Sequence, residues 1–305
     1  MIDYSDAVLL KELKREYDKT LKRSYLRFGN GLFNNDFPYS NKYPLYYKKD
    51  ILNNLIKQMR KDVYKAYIEG GGHELEEGIN GRPPKFLSIS SSSQFCFTSL
   101  NIDKYTNKKE GADYFSHDGE SIKRTYFEKQ LPILKDVIPP HMDAYAKTRK
   151  REHFFECKCH EMFDIHSLSL SKKYFDTGKD FIVDYIPKEY LIDNGSSYIF
   201  NPIVFDVEDP LFDIKQLLTH LMGIVCNKSR KECDLIYYYS FPLDEDIKDE
   251  RIKEVIEKVK SDAIKVFESI IIKKYCLKHH ITLRLYAHHS AYHYATSENN
   301  TYKIY

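Results

Sequence analysis

Apolar residues fall at helical spacing near the start of the chain. Leu9, Leu10, Leu13, Tyr17 and Leu21 form one stripe in a charged segment, which predicts a helix over residues 6–27. Residues 28–44, rich in Asn, Gly and Pro, read as a loop. Ile51, Leu52, Leu55, Ile56, Met59, Val63 and Ala66 then predict one continuous helix over about 48–68, stopped by Gly70-Gly71-Gly72. No flexible linker follows. Residues 1–70 are therefore expected to form a helical layer on the remainder, 71–305, rather than an independent domain.

Downstream the period changes. Ser90-Ser91-Ser92-Ser93 precedes Gln94-Phe95-Cys96-Phe97 and marks a helix N-terminus near 91–93. Residues 103–120 are polar and read as a surface loop. Apolar runs at 126–134, 141–146 and 152–159, separated by charged or proline breaks, predict a meander of three short strands. A middle region, 162–210, holds Phe181-Ile182-Val183-Asp184-Tyr185 and Tyr198-Ile199-Phe200. It leads into a helix over about 211–227 and a strand over Cys233–Tyr239. Ile252, Val255, Ile256, Val259, Ala263, Phe267 and Ile270 predict one long amphipathic helix over 246–275, and Ile281–Tyr286 a last strand. Helix, three strands, helix, strand is the order of an α/β protein with a central mixed sheet flanked by helices.

Composition narrows this picture without redirecting it. The 305 residues are 42% apolar and 30% charged with a formal net charge of +2, which describes an ordinary globular chain and supplies no bulk electrostatic case for a nucleic-acid partner. Basic excess is local, at 8–24, 147–151 and 172–179. Six scattered cysteines form no disulfide framework, Met1-Ile2-Asp3-Tyr4-Ser5-Asp6 is not an apolar leader, and no apolar run is long enough to span a membrane. A cytoplasmic protein with reduced thiols is the expectation.

The candidate chemistry sits in the meander. Asp143 lies in its second strand, and Glu156-Cys157-Lys158 closes its third, inside Phe154-Phe155-Glu156-Cys157-Lys158-Cys159. A strand's period of two puts Glu156 and Lys158 on one face and turns Cys157 and Cys159 to the other, beside Phe155. Charges in such an apolar run are costly unless paired or coordinated. Two carboxylates and a lysine are what holding a magnesium ion and activating a water require.

A strand carboxylate followed by Glu-x-Lys on the neighbouring strand resembles the PD-(D/E)XK nuclease superfamily, which has the restriction-endonuclease-like fold. The local dress is closest to a bacterial family of restriction-endonuclease type. It is carried by Gly71-Gly72-His73-Glu74-Leu75, Pro83-Pro84-Lys85 leading to Ser93, His141-Met142-Asp143, Glu156 through Glu161, and Asp213 through His220. The likeness covers about 70–240, and the first acid lacks the immediately preceding proline.

That resemblance implies a magnesium-dependent endodeoxyribonuclease, with manganese as a possible substitute. It would act on double-stranded DNA as a sequence-specific type II restriction enzyme or related defence nuclease, as a homodimer if the target is palindromic. Asp143 and Glu156 would be metal ligands, joined by the main-chain carbonyl of Cys157, and Lys158 would orient the water or stabilise charge on phosphorus. Glu74 is the candidate for an extra acid from an early helix, with Glu128 as rival. Gln216 belongs to a polar stripe Asp213, Gln216, His220 that faces either the phosphate or solvent. Glu161, at odd spacing from Lys158, belongs either to the site or to a neighbouring turn, and Gln94 is a weaker candidate. The loops at 103–120 and 162–200 would read bases. The rival functions are a structure-selective or RNA-directed nuclease of the same fold, a non-catalytic nucleic-acid-binding module, and a plain partner-binding protein. The cysteines and the histidines near the C-terminus lack zinc-site spacing, and the glycine triplet follows a helix, unlike a P-loop.

Overall fold

The structure is a computed structural model, and it describes residues 2–26, 49–69, 73–78, 83–100, 122–289 and 301–304. In chain order it contains α1 (Ala7–Leu26), α2 (Lys49–Gln58), α3 (Lys61–Glu69), α4 (Ser92–Leu100), β1 (Thr125–Gln130), β2 (His141–Lys147) and β3 (Arg151–Lys158). Then come β4 (Ser169–Ser171), β5 (Leu191–Asn194), β6 (Ser197–Phe200), α5 (Ile214–Asn227), β7 (Glu232–Phe241), α6 (Glu250–Glu268), α7 (Ile270–His279), β8 (Ile281–His289) and β9 (Thr301–Ile304). The expected loops at 28–44 and 103–120 and the glycine stop at 70–72 lie outside the described residues.

The main sheet has six strands in the order β1-β2-β3-β7-β8-β9. β1, β2 and β3 form the antiparallel meander. β7 then adds parallel to β3, with Glu156 beside Tyr237 and Lys158 beside Tyr239. A parallel neighbour needs a crossover, and α5 supplies it. β8 continues parallel and β9 antiparallel. The chain is thus α/β with a mixed central sheet. Buried Phe154, Phe155, Leu235, Ile236 and Tyr237 run through the middle of that sheet, with helices packed on it. No helix among the described residues is long and apolar enough to cross a membrane.

Local chemistry explains the helix ends. Asp213 caps α5 by accepting from the Gln216 N–H at 2.8 Å, and the Ser91 hydroxyl accepts from the Gln94 N–H at 3.1 Å. Gly223 lets α5 approach the chain after β1, because a side chain there would meet Leu131 Cβ at 2.8 Å and Pro140 Cγ at 3.3 Å. That close approach fixes α5 over the meander.

Four expectations need correction. The second helix is two, α2 and α3, broken at Met59–Arg60, where Arg60 turns its guanidinium to the Thr125 carbonyl at 2.6 Å. The long amphipathic helix also divides, because Ser269 is extended (φ −58°, ψ 147°) and its hydroxyl donates to the Val266 carbonyl at 2.8 Å. The first strand of the meander stops at Gln130 rather than near 134. The middle region is not plain loop. It builds a second sheet, β4-β6-β5, and several single-turn helices, including Ile182–Tyr185.

Candidate active site

Three elements bring the predicted residues together. β2 carries Asp143, the end of β3 carries Glu156 and Lys158, and the first turn of α5 carries Gln216. The strand phase holds as expected: Glu156 and Lys158 share a face, and Cys157 is turned to the other side, next to the Cys96 thiol of α4. Both charged residues are nonetheless buried, Glu156 at 4% exposure and Lys158 at 9%. Burial of that depth requires partners.

Glu156 Oε1 takes two of them. It accepts from the Lys158 ammonium at 2.7 Å and from Gln216 Nε2 at 2.8 Å. Asp143 Oδ2 accepts the Cys157 main-chain N–H at 2.7 Å, which ties the two strands beside the Glu156–Lys158 pair. Burial, with the Glu156 and Glu128 charges, drives the Asp143 carboxyl well above the ordinary range, and Lys158 and the Cys157 N–H offset this only in part. Burial alone would lower the Lys158 pKa. The charges of Glu156, Glu161 and Asp143 win, and the ammonium is held above the usual lysine range.

Two buried acceptors remain without a hydrogen-bond partner, Glu156 Oε2 and Gln216 Oε1. A buried polar atom left so costs about 1–3 kcal/mol, which a ligand bringing positive charge or donors would recover. Like the Asp143 carboxylate on the neighbouring strand they are oxygens, the donor type a hard divalent cation selects. Among the described residues no group of three or more His, Cys, Asp or Glu side chains converges on one point. A closed protein cage is therefore missing from that part of the chain. Magnesium needs none, since it keeps several waters and takes one or two carboxylates. Oxygen donors as such suit magnesium better than zinc.

Glu128 belongs here. Phe127 pairs with Ala144 and Lys129 with Met142, so Glu128 lies across β1–β2 from Asp143. Its φ of +51° is left-handed, a conformation costing about 1–3 kcal/mol for a non-glycine residue and concentrated at functional sites. Burial and the Glu74 and Glu156 charges push its carboxyl up to about 7. His141 Nδ1 is 3.9 Å from Glu128 Oε2. Glu74 is not on a helix. It sits in a turn, its main-chain oxygen accepts the Phe86 N–H at 3.0 Å, and burial raises its carboxyl against the pull of Lys85. Its charge is one cause of the raised Glu128 carboxyl.

The polar stripe of α5 faces inward. Asp213 is the cap, and its Oδ2 is 3.3 Å from His166 Nδ1. His220 is buried between β2 and β7, with Nε2 3.2 Å from the His141 carbonyl and Nδ1 3.3 Å from the Tyr237 hydroxyl. Burial lowers its pKa. A neutral ring satisfies both contacts if Nε2–H donates to the carbonyl and Nδ1 accepts from Tyr237. Glu161 caps the turn after β3, where Oε2 accepts from the Cys159 N–H at 2.7 Å and the His160 N–H at 3.0 Å. Burial would raise its carboxyl, but Lys158, His160 and these N–H groups hold it below the ordinary range. Gln94 is buried in α4 with Nε2 unpartnered.

Sequence reasoning missed His141, His166 and Tyr237 as supports of the site. Only the inward parity of β7 could have pointed to Tyr237. It also missed a buried ionic cluster toward the start of β3. There Asp234 Oδ1 accepts from Arg151 at 2.7 Å and Arg284 at 3.2 Å, and its Oδ2 lies 2.9 Å from His153 Nδ1, joining three neighbouring strands. A cavity of about 660 Å³ lined by Phe175, Val183, Leu191 and Tyr198 involves none of the candidate catalytic residues. No family model, curated protein or solved structure matches the chain.

Proposed function

We propose that this protein is a magnesium-dependent nuclease that hydrolyses phosphodiesters of double-stranded DNA, on a core of restriction-endonuclease-like type. The observation that carries the reading is the convergence of Asp143, Glu156 and Lys158 at the β2–β3 junction, with two buried oxygens, of Glu156 and Gln216, left for a cation. The order of elements from α4 through β1, β2, β3 and α5 to β7 supports the same fold.

Asp143, Glu156 and the Cys157 carbonyl would hold magnesium, which when bound neutralises a phosphate oxygen and lowers the pKa of a water. Lys158 stays protonated, because Glu156 and Glu161 stabilise its charge. It therefore donates to a phosphate or water oxygen and does not serve as the base. A proton acceptor must come from elsewhere, and Glu128, raised to about 7, has the affinity that neutral-pH chemistry favours. Gln216 fixes Glu156 so that one oxygen is committed to Lys158 and the other, 3.8 Å from His220 Nε2, makes no hydrogen bond.

A sequence-specific endonuclease working as a homodimer is the form of this activity we favour, with residues 162–200 contributing to base readout. The test is digestion of a large methylation-free DNA with magnesium and with EDTA. Discrete magnesium-dependent fragments support the reading. Cleavage confined to branched DNA or RNA moves the assignment to a structure-selective or RNA-directed nuclease. Binding without cleavage of any of these substrates moves it to a non-catalytic module.

A further inference from the structure

The N-terminal helix touches the candidate site through one turn. On α1, Lys14, Tyr17 and Asp18 lie at i, i+3 and i+4 and therefore share a face. All three engage residues 160–164, the turn that follows Lys158. Asp18 is buried at 4% exposure, and its Oδ1 is 3.1 Å from His160 Nδ1. The Lys14 ammonium meets Asp164 Oδ2 at 2.6 Å. The Tyr17 ring packs on Phe163 at 5.0 Å, and its hydroxyl donates to the Ser240 carbonyl at the end of β7 at 2.7 Å. Inside the turn, Glu161 accepts from the N–H groups of Cys159 and His160 and faces the Lys158 charge.

From this chain of contacts we infer that α1 is a clamp on the catalytic strand. Asp18, acting through His160 and Glu161, is a positioning residue for the Lys158 ammonium. The kinetic part of this inference rests on the nuclease reading; the placement of Lys158 does not. The physical ground is that Lys158 is the last residue of β3, where the ladder to β7 ends and the 160–164 turn takes over. Its Nζ is fixed by Glu156 within the strand at 2.7 Å, and the buried turn that holds Glu161 follows directly after it. Glu161 is in turn placed by a turn whose outer wall is α1. Without that wall the turn can shift, and a shift of about 1 Å at a catalytic group costs on the order of 100-fold in rate.

Three full-length variants and two readouts test this. Asp18→Ala removes the contact to His160. Asp18→Asn keeps an acceptor oxygen for the ring. Ser24→Ala removes a different anchor of the same helix, the hydroxyl bond to Asp246 Oδ2 at 2.6 Å, and leaves the 160–164 turn alone. The first readout is magnesium-dependent cleavage. Asp18→Ala is expected to lower kcat by about 10- to 100-fold with KM within about twofold, while Asp18→Asn stays near wild type. Ser24→Ala should lower Tm but leave kcat unchanged. The second readout is the NMR signal of the Lys158 ammonium protons, protected from exchange by burial in the wild type. It should vanish or shift in Asp18→Ala and persist in Asp18→Asn and Ser24→Ala. Equal behaviour of Asp18→Ala and Ser24→Ala in both readouts overturns the clamp. If the wild type cleaves nothing, the nuclease reading fails, and the ammonium signal alone still decides the clamp.

Discussion

Gln216 Nε2 donates to Glu156 Oε1 at 2.8 Å, which leaves the other Glu156 oxygen and the carboxamide's own oxygen buried and unpartnered. A helix residue thus decides which face of a strand carboxylate is free. Removing it should disorder Glu156 without removing a charge. Gln216→Ala is expected to weaken magnesium binding by about tenfold, the lower end of what loss of a supporting hydrogen bond costs a metal site. Isothermal titration calorimetry checks this, and an unchanged dissociation constant would separate Gln216 from the metal.

Magnesium binding should strengthen as pH rises. Burial and the neighbouring carboxylates hold the Asp143 pKa well above the ordinary range, so protons compete with a cation for this carboxylate more strongly than for an exposed aspartate. Calorimetric titration across a pH series reads this, and an affinity that does not change with pH is the contrary result.

Glu128 gives a stability prediction of defined sign. Its folded-state pKa is raised from 4.5 to about 7, so the folded protein holds this proton more tightly than the unfolded chain. The stabilising effect of that proton is fully present below about 4.5 and is lost as pH rises through about 7. Glu128→Gln, which needs no proton, should match the wild type in Tm at pH 4.5 and exceed it at pH 8. A Tm gain at pH 4.5 equal to that at pH 8 would show that titration of Glu128 is not its cause.

Asp213 joins stability to the site. It caps α5 through the Gln216 N–H, so Asp213→Ala should cost about 1 kcal/mol of stability by denaturant unfolding, whereas Asp213→Ser should restore most of it. Because the capped residue is Gln216, the Ala variant should also cut more slowly than Asp213→Ser.

The sequence made part of this legible. Strand alternation placed Glu156 and Lys158 on one face with Cys157 turned away, and serines marked the start of α4, whereas Asp213 was read as part of the helix it in fact caps. The breaks at Arg60 and Ser269 escaped notice because neither interrupts the apolar stripe. The hydrophobic period survives a kink that one side chain's contact to a main-chain carbonyl creates. Glu128 was legible as a rival acid, but its left-handed backbone was not. Glycine or asparagine would have signalled a left-handed residue, and a glutamate held there by its surroundings gives no such sign. The role of α1 was hidden because its stripe reports only that one face is buried, whereas Asp18 and Lys14 act through residues about 140 positions away in sequence.

The most direct measurement compares initial rates of DNA cleavage in magnesium for the wild type, Asp143→Asn, Glu156→Gln and Lys158→Met, each first shown to be folded by its Tm. Asp143→Asn, which removes a carboxylate that burial disfavours, should be at least as stable as the wild type. Loss of at least about 1,000-fold in rate for all three folded variants is the predicted result, in line with removal of groups that stabilise transition-state charge. Cleavage by all three at the wild-type rate would contradict the assignment of the β2–β3 junction as the active site.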